Sequence, residues 1–547
     1  MKRFIRHRNW LFNHHHGWLY LAMAIWLASC GGNRSPGKDN GPPNVLFIII
    51  DDMNVDIGCY GGPIKTPGID RLAGSGIKFD HAYVQQPVCA ASRASFLTGL
   101  RPNTTGVDYP YSHYFLEEVM PAYGTISRFF RKKGYDVKQF GKVHHGWEDE
   151  HPTYKPVREG SYYTRAINEN VKNGGPRPPF EKTFHGDSEY VDFKIADSVV
   201  SAIIHSSRTQ GPFFYVAGFH KPHLVFAAPE KYWNLYDESK ITLPVPRDLA
   251  KGSPDLAVDR YYLNQYEWEH GDPQKPFSDD YARMIRHAYY ASSSFVDAQV
   301  GRVLDALRES GLEEETIILF VSDQGFLVGE QNYWGKTNLF EKGLQVPLIV
   351  SWKGHIESGQ ETDALVETVD IFPTLADLTG LEIPEYLEGT SFRRVTENPA
   401  IPWKKGAISQ QPRGLIADRE GISLRTERYR YTEWINSFTG EIMARELFDY
   451  QQDPTESVNL ATNPENTVLL EKLSTQLNTG WKSMLPEGMT NLSDNPEAPP
   501  SYAWGVEGVS RREAWHATFG GSEAEGWRKA TERRRAYQKQ RYNLQGK

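Results

Sequence analysis

The chain has 547 residues, of which 39% are hydrophobic and 24% charged, enough to bury a sizeable core in one large α/β domain or in more than one unit. A net charge of -8 gives no support to a nucleic-acid partner. The 14 Trp and 29 Tyr fit carbohydrate handling, although exposed rings serve other interfaces too, and three cysteines are too few for a disulfide framework.

The N-terminus reads as an address. Lys2, Arg3, Arg6 and Arg8 precede the apolar run GWLYLAMAIWLAS, which is short for a bilayer span. It ends in LASC, which resembles a bacterial lipobox and implies cleavage before Cys30, lipidation of that cysteine, and a lipid-anchored protein of the cell envelope, periplasmic or at the outer surface. A plain secretory signal is the alternative. Residues 1–29 are then a signal peptide and 30–42, rich in Gly, Ser, Pro and Asn, a flexible tether. In an oxidising compartment the two remaining cysteines, Cys59 and Cys89, could form a disulfide.

PNVLFIII (Pro43–Ile50) is a continuous apolar, β-branched run that reads as a buried parallel strand and stops at Asp51 and Asp52. TPGIDRLAGSG has helical character. QPVCAASRASFLTGLRP carries Cys89 and Arg93 into a further helix. YGTISRFFRKKGYDVKQFGKVHHG reads as helix, glycine break and strand, running into Lys142 and His145. GPFFYVAGFHKPH is a strand running into His220, Lys221 and His223. IRHAYYASSSFVDAQVGRVLDALRESG is a long amphipathic helix with Val296, Val300, Val303, Leu304 and Leu307 at helical spacing. TIILFVSDQG is a buried strand ending at Asp323, and VPLIVSW is one more. The irregular stretches WEDEHPTYKPVREG and His223–Arg286 follow site-bearing strands and read as pocket walls.

Beyond about residue 390 the pattern changes. ISLRTERYRYTEW and ARELFDYQQDP read as antiparallel strands around the SFTGE turn, and TVLLEKLSTQLNTGW as a helix. The expected organisation is a catalytic α/β domain over 43–390, an α+β subdomain over 391–485, and an extension over 486–547 with a basic tail that reads as a solvated segment or an anionic-polymer contact.

Alternating strands and helices imply an α/β/α sandwich. Asp51/Asp52, Lys142/His145, His220 and Asp323 each follow a buried strand, and in a parallel sheet such ends converge on one edge, where ligands bind. Asp51, Asp52, Asp323 and Gln324 form an all-oxygen ligand set suited to calcium or magnesium. Arg93, Lys142 and Lys336 add positive charge, and His145 and His220 add proton-transfer groups. A metal with such a cluster would trap a tetrahedral oxyanion, sulfate or phosphate, and Cys89 is the candidate nucleophile. A soft thiolate suits a hard cation poorly and is vulnerable to oxidation, which suggests that Cys89 does not act as cysteine.

CAASRASFLTGLRP resembles the type I sulfatase signature, Cys-x-Pro/Ala-x-Arg followed by Leu-Thr-Gly. NVLFIIIDDMN, TPGIDRLA, GKVHHG, VSDQG and ELFDYQQDPTESVNLA support the likeness. GFHKPHLVFAAPEKYW, ASSSFVDAQVGRVLDAL, WGKTNLFEKGLQVPLIV and VDIFPTLADLTGL point to its iduronate 2-sulfatase-like branch. The resemblance implies an alkaline phosphatase-like fold with a large, mixed, mostly parallel sheet and a C-terminal antiparallel sheet. It implies that a formylglycine-generating maturase oxidises Cys89 to Cα-formylglycine (3-oxoalanine), whose hydrate is the nucleophile. One calcium would be held by Asp51, Asp52, Asp323, Gln324 and modified Cys89. Arg93 would steady the diol, Lys142 and Lys336 would bind sulfate oxygens, His145 would assist release of sulfate, and His220 would protonate the leaving alcohol. A Cys59–Cys89 disulfide would destroy that nucleophile.

The sequence departs from the signature in three places. Ala91 stands where Pro is common, Gln324 stands where Asn or His is frequent, and KVHH offers His144 beside His145. The implied substrate is a sulfated carbohydrate, either a glycosaminoglycan or an algal polysaccharide such as ulvan. A phosphatase or phosphodiester/phosphonate monoester hydrolase of the same superfamily, and an inactive glycan-binding lipoprotein, are the competing readings.

Overall fold

The computed structural model describes residues 41–493 apart from 106, 108–123, 146–172, 174, 176–177, 185, 210, 246, 260–268, 270–274, 414–418 and 437–438. Cys30, the whole WEDEHPTYKPVREG stretch, part of the 223–286 stretch and the basic tail lie outside the described residues.

Seven strands form the central sheet: β1 (Asn44–Asp51), β2 (Ile77–Phe79), β3 (Asp136–Gly141), β4 (Phe213–Pro222), β5 (Thr316–Ser322), β6 (Leu348–Ser351) and β7 (Gln360–Thr362), in the order β7-β2-β6-β5-β1-β4-β3. Apolar side chains fill both faces of β1, and all eight of its residues are buried, as expected of a central strand covered on both sides. β1 pairs in parallel with β4 and β5, and β4 with β3. Only β6 runs against its neighbours. The chain leaves β5 at the site edge and re-enters the sheet from that edge with no crossover helix, so an antiparallel return is the available geometry.

Helices α1 (Pro67–Gly74), α2 (Cys89–Thr98), α3 (Ile126–Lys132), α4 (Val191–Ser206), α5 (Asp279–Glu309) and α6 (Ile371–Leu378) complete the sandwich. Phe96 of α2 meets Phe47 of β1 edge-on at 5.9 Å, and Phe130 of α3 stacks on Phe214 of β4 at 4.2 Å. Phe129 then meets Phe372 of α6 at 5.2 Å. In the other helical layer, α5 packs on α1 and α4, with Phe295 against Tyr190 at the start of α4. Each such buried ring contributes roughly 1.5–3 kcal/mol by leaving water.

A second sheet is an antiparallel meander of β8 (Ala407–Arg413), β9 (Arg419–Arg425), β10 (Tyr429–Asn436) and β11 (Ile442–Asp449). Helix α7 (Thr467–Asn478) packs Leu473 and Leu477 against Leu424, Tyr431 and Leu447. ISLRTERYRYTEW, which reads as one strand, is two. The Thr426 amide bonds to the Tyr429 carbonyl at 2.8 Å, and the polar TER sequence turns the chain between β9 and β10.

Glu341, in the single helical turn Glu341–Leu344, ties this sheet to the main α/β body. Its carboxylate accepts from Tyr83 Oη at 2.7 Å, Arg425 Nε at 3.1 Å, Tyr450 Oη at 3.0 Å and Arg430 Nη2. Burial opposes ionisation, but Arg425 and Arg430 hold its pKa well below the usual carboxylate range. Replacing Glu341 with Gln leaves two buried guanidinium groups short of an anion, so a loss of about 3 kcal/mol is expected. Thermal unfolding should report it as a fall of several degrees in Tm, and an unchanged Tm would contradict the assigned role.

Candidate active site

The site lies where β1, β3, β4 and β5 end. Asp51 closes β1, and Asp52 follows with φ at 65°, a left-handed turn that aspartate tolerates better than most residues. Asp323 follows β5, and its amide bonds to Ile50 O at 2.9 Å, bringing the two strand ends side by side. The Asp52 amide donates to Asp323 Oδ1 at 3.1 Å. Lys142 follows β3. There the chain passes so close to β4 that a Cβ on Gly218 would lie 2.0 Å from Lys142 O, so a larger residue would push the lysine out of place.

Helix α2 starts at Cys89, and all ten of its residues are buried. Cys89 and Arg93 are four residues apart, which puts both on one face. Cys89 Sγ lies 3.4 Å from Asp51 Oδ1 and 2.8 Å from Lys336 Nζ. Lys336 also reaches Asp52 Oδ1 at 2.7 Å, and Lys142 pairs with Asp51. Arg93 donates Nε to Asp323 Oδ2 at 2.8 Å, and its Nη1 holds the carbonyls of Lys142 and of Val143, the latter at 3.3 Å. The arginine therefore locks the start of α2 to the loop after β3.

Donor atoms of Asp51, Asp52, Cys89 and Asp323 all lie within 4.8 Å of one another. Gln324 lies beside this group, with its Nε2 against Asp52 and 3.4 Å from Cys89 Sγ, and two buried oxygens, Asp52 Oδ2 and Gln324 Oε1, have no hydrogen-bond partner among the described residues. Hard, unsatisfied oxygens beside three carboxylates are what a divalent cation such as calcium would complete, so the residues present fit that ion. Burial raises the Asp52 carboxyl to about 7 against the pull of Lys336, and burial also raises Asp323 despite Arg93. Burial opposes ionisation of Asp51, but Lys142, His223, Arg93 and Lys336 together hold its pKa well below the usual range. The Cys89 thiol is pushed up to about 12 by burial and by Asp51. A bare thiol here stays protonated at neutral pH and is a poor nucleophile. Cys59 and Cys89 are both free.

The histidines divide. Burial and the charges of Lys142 and Lys336 bring the pKa of His145 well below its ordinary value, whereas His144 Nε2 sits 2.9 Å from Gln139 Oε1. His220 does not join the donor group. Its backbone amide and Nδ1 lie 2.8 and 3.3 Å from Asp192 Oδ1. His223 does join, its ring nitrogen grouped with Asp51 and Cys89 and its Nε2 3.8 Å from Asp52 Oδ2. The sequence points to this segment, since FHKPH carries two histidines three residues apart, and the path of the chain after β4 brings His223 Nε2 within 3.8 Å of Asp52.

The sequence model of the Sulfatase family matches residues 43–381, and that of the N-sulphoglucosamine sulphohydrolase C-terminal region matches residues 329–482. Human (Homo sapiens) iduronate 2-sulfatase is 30% identical over 539 residues, covering 83% of this chain and 98% of the human protein. Among solved structures, the phosphonate monoester hydrolase of Agrobacterium radiobacter superposes with a TM-score of 0.66 at 21% identity, covering 80% of this chain and 95% of that one. A 2-O GAG sulfatase superposes with a TM-score of 0.62 at 22% identity, covering 80% and 91%. At those identities the structures speak for the shared fold.

Proposed function

This chain belongs to the sulfatase family and is a sulfuric ester hydrolase, and we propose that it removes sulfate from a sulfated carbohydrate through a formylglycine made from Cys89 at a calcium site. The observation that carries this reading is a buried cysteine at the first position of a helix, amid three carboxylates and two ammonium groups, with its own thiol held protonated. The likeness to an iduronate 2-sulfatase supports a sugar substrate. The N-terminal leader and the LASC sequence support export and lipid attachment at Cys30.

Oxidation of Cys89 by a maturase would supply a hydrated aldehyde, a hard oxygen nucleophile where Sγ now stands. Calcium, held by Asp51, Asp52, Asp323 and Gln324, would neutralise the carboxylates and polarise a sulfate oxygen. Lys336 and Lys142 flank the nucleophile and attract the anionic ester. Arg93 keeps the nucleophile's helix fixed against Asp323 and the β3 loop. His145, neutral at working pH, takes up the proton released as sulfate departs. Protonation of the leaving alcohol is assigned, with His220 the alternative, to His223, whose Nε2 lies 3.8 Å from Asp52 Oδ2. Burial and Lys336 favour its neutral form, and the negative charge of a bound ester offsets that.

The test is sulfate against phosphate release from paired aryl esters, using protein co-expressed with a maturase, followed by defined glycosaminoglycan and ulvan oligosaccharides. Preferential phosphate release, or no turnover, would sink the reading. His223→Ala is expected to lower kcat/KM for an unactivated sulfate ester by about 10²–10⁴-fold, the usual worth of a general acid. His220→Ala should cost about tenfold or less, and steady-state kinetics on the two variants separates them.

A further inference from the structure

Asp192, in the first turn of α4, is completely buried and contributes nothing to the cation cluster. Its Oδ1 accepts from the His220 amide at 2.8 Å, and its Oδ2 accepts from the Lys221 amide at 2.8 Å. One carboxylate thus pins two successive amides at the end of β4, just before the chain turns to present His223.

The buried Lys221 side chain folds forward over the same turn. Its Nζ donates to Val225 O at 2.6 Å and lies 3.5 Å from His223 O. The ammonium group therefore clasps the turn from inside, holding the carbonyl of His223 and that of the residue two further on. Within the turn, His223 Nδ1 is 2.5 Å from Leu224 O. A carbonyl only accepts, so Nδ1 carries a proton and Nε2 is the nitrogen aimed at Asp52 and the nucleophile.

We propose that Asp192 and Lys221 are positioning residues for the reaction: the carboxylate fixes the end of β4, the ammonium fixes the turn, and together they set His223 Nε2 against the oxygen of the leaving alcohol. The inference rests on His223 being the proton donor. Neither residue belongs to the nucleophile, the metal ligands or the sulfate-binding lysines. Their effect is specific to protonation of the departing oxygen, so it grows as that oxygen becomes a poorer leaving group.

The experiment compares Lys221→Met, Asp192→Asn and His223→Ala with the unaltered chain, all full-length, matured and calcium-loaded, on 4-nitrophenyl sulfate and on phenyl sulfate. The first releases an acidic phenol that needs little protonation, and the second a basic one that needs more. For His223→Ala, kcat/KM is expected to fall by about 10² or more on phenyl sulfate and by no more than about threefold on 4-nitrophenyl sulfate. Lys221→Met and Asp192→Asn are expected to show the same bias, about 10-fold or more on phenyl sulfate alone. Equal losses on both esters would mean that the two residues only hold the fold, and would overturn the inference while leaving His223 in its role. Absence of bias in His223→Ala would overturn that role and the inference with it. If Lys221→Met does not fold, Asp192→Asn, which keeps the shape and loses one acceptor oxygen, decides the question.

Discussion

Replacing Cys89 with alanine is expected to lower sulfate release by at least about 10⁴-fold, the scale of loss when a covalent nucleophile is removed, with Tm nearly unchanged. The side chain lost is small, and Arg93 rather than Cys89 holds α2 in place. Activity should instead track the chemical state of residue 89. With the thiol pushed up to about 12, unmodified protein has almost no thiolate to offer at neutral pH. Preparations made with and without a maturase should therefore differ in turnover in proportion to the fraction of the Cys89 peptide that mass spectrometry finds converted to the aldehyde. Full activity in protein whose residue 89 is entirely thiol would falsify the proposed mechanism.

Removing divalent metal is expected to have the next largest effect. Dialysis against a chelator should abolish sulfate release by about 10³-fold or more, and calcium should restore it. The basis is electrostatic. Asp51, Asp52 and Asp323 converge within 4.8 Å, while Arg93, Lys142 and Lys336 are already paired with them. Two buried oxygens still lack a hydrogen-bond partner among the described residues. An ion present at about a thousand times its Kd would stabilise the fold by about 4 kcal/mol, so the metal-free protein should also melt several degrees lower. Zinc should substitute poorly, because the oxygen donors suit a hard cation. Identical melting curves and rates with and without chelator would remove calcium from the site.

The parts of this arrangement that depend on local rules are readable in the sequence. An unbroken apolar run such as Val45–Ile50 can be only a covered strand or a buried helix, and its β-branched content favours the strand. Where such strands end, Asp51, Asp52, Lys142 and Asp323 fall at one edge by topology. Four-residue spacing puts Cys89 and Arg93 on one helix face. What depends on the path of the chain in space is not readable. The approach of His223 to Asp52 turns on a few residues after β4, where Asp192, 28 positions before His220 in sequence, accepts from the His220 amide. No periodicity marks a buried aspartate that caps a strand from the side. The direction of β6 follows from the absence of a crossover helix, and the split of β9 from β10 rests on the turn that Thr426 closes with Tyr429 through its amide and its hydroxyl.

The long-range contacts of α2 have a consequence for how the protein comes into being. Arg93 meets Asp323 across 230 positions, Cys89 meets Gln324 across 235, and Cys89 meets Lys336 across 247. None of these partners exists while the first half of the chain is emerging, and closing loops of that length is among the slower events of folding. The closure that assembles the site also buries Cys89 completely enough to exclude another enzyme. The proposed oxidation of Cys89 would therefore belong to the interval before the second half of the chain has docked, and the tempo of folding would set how long that interval lasts.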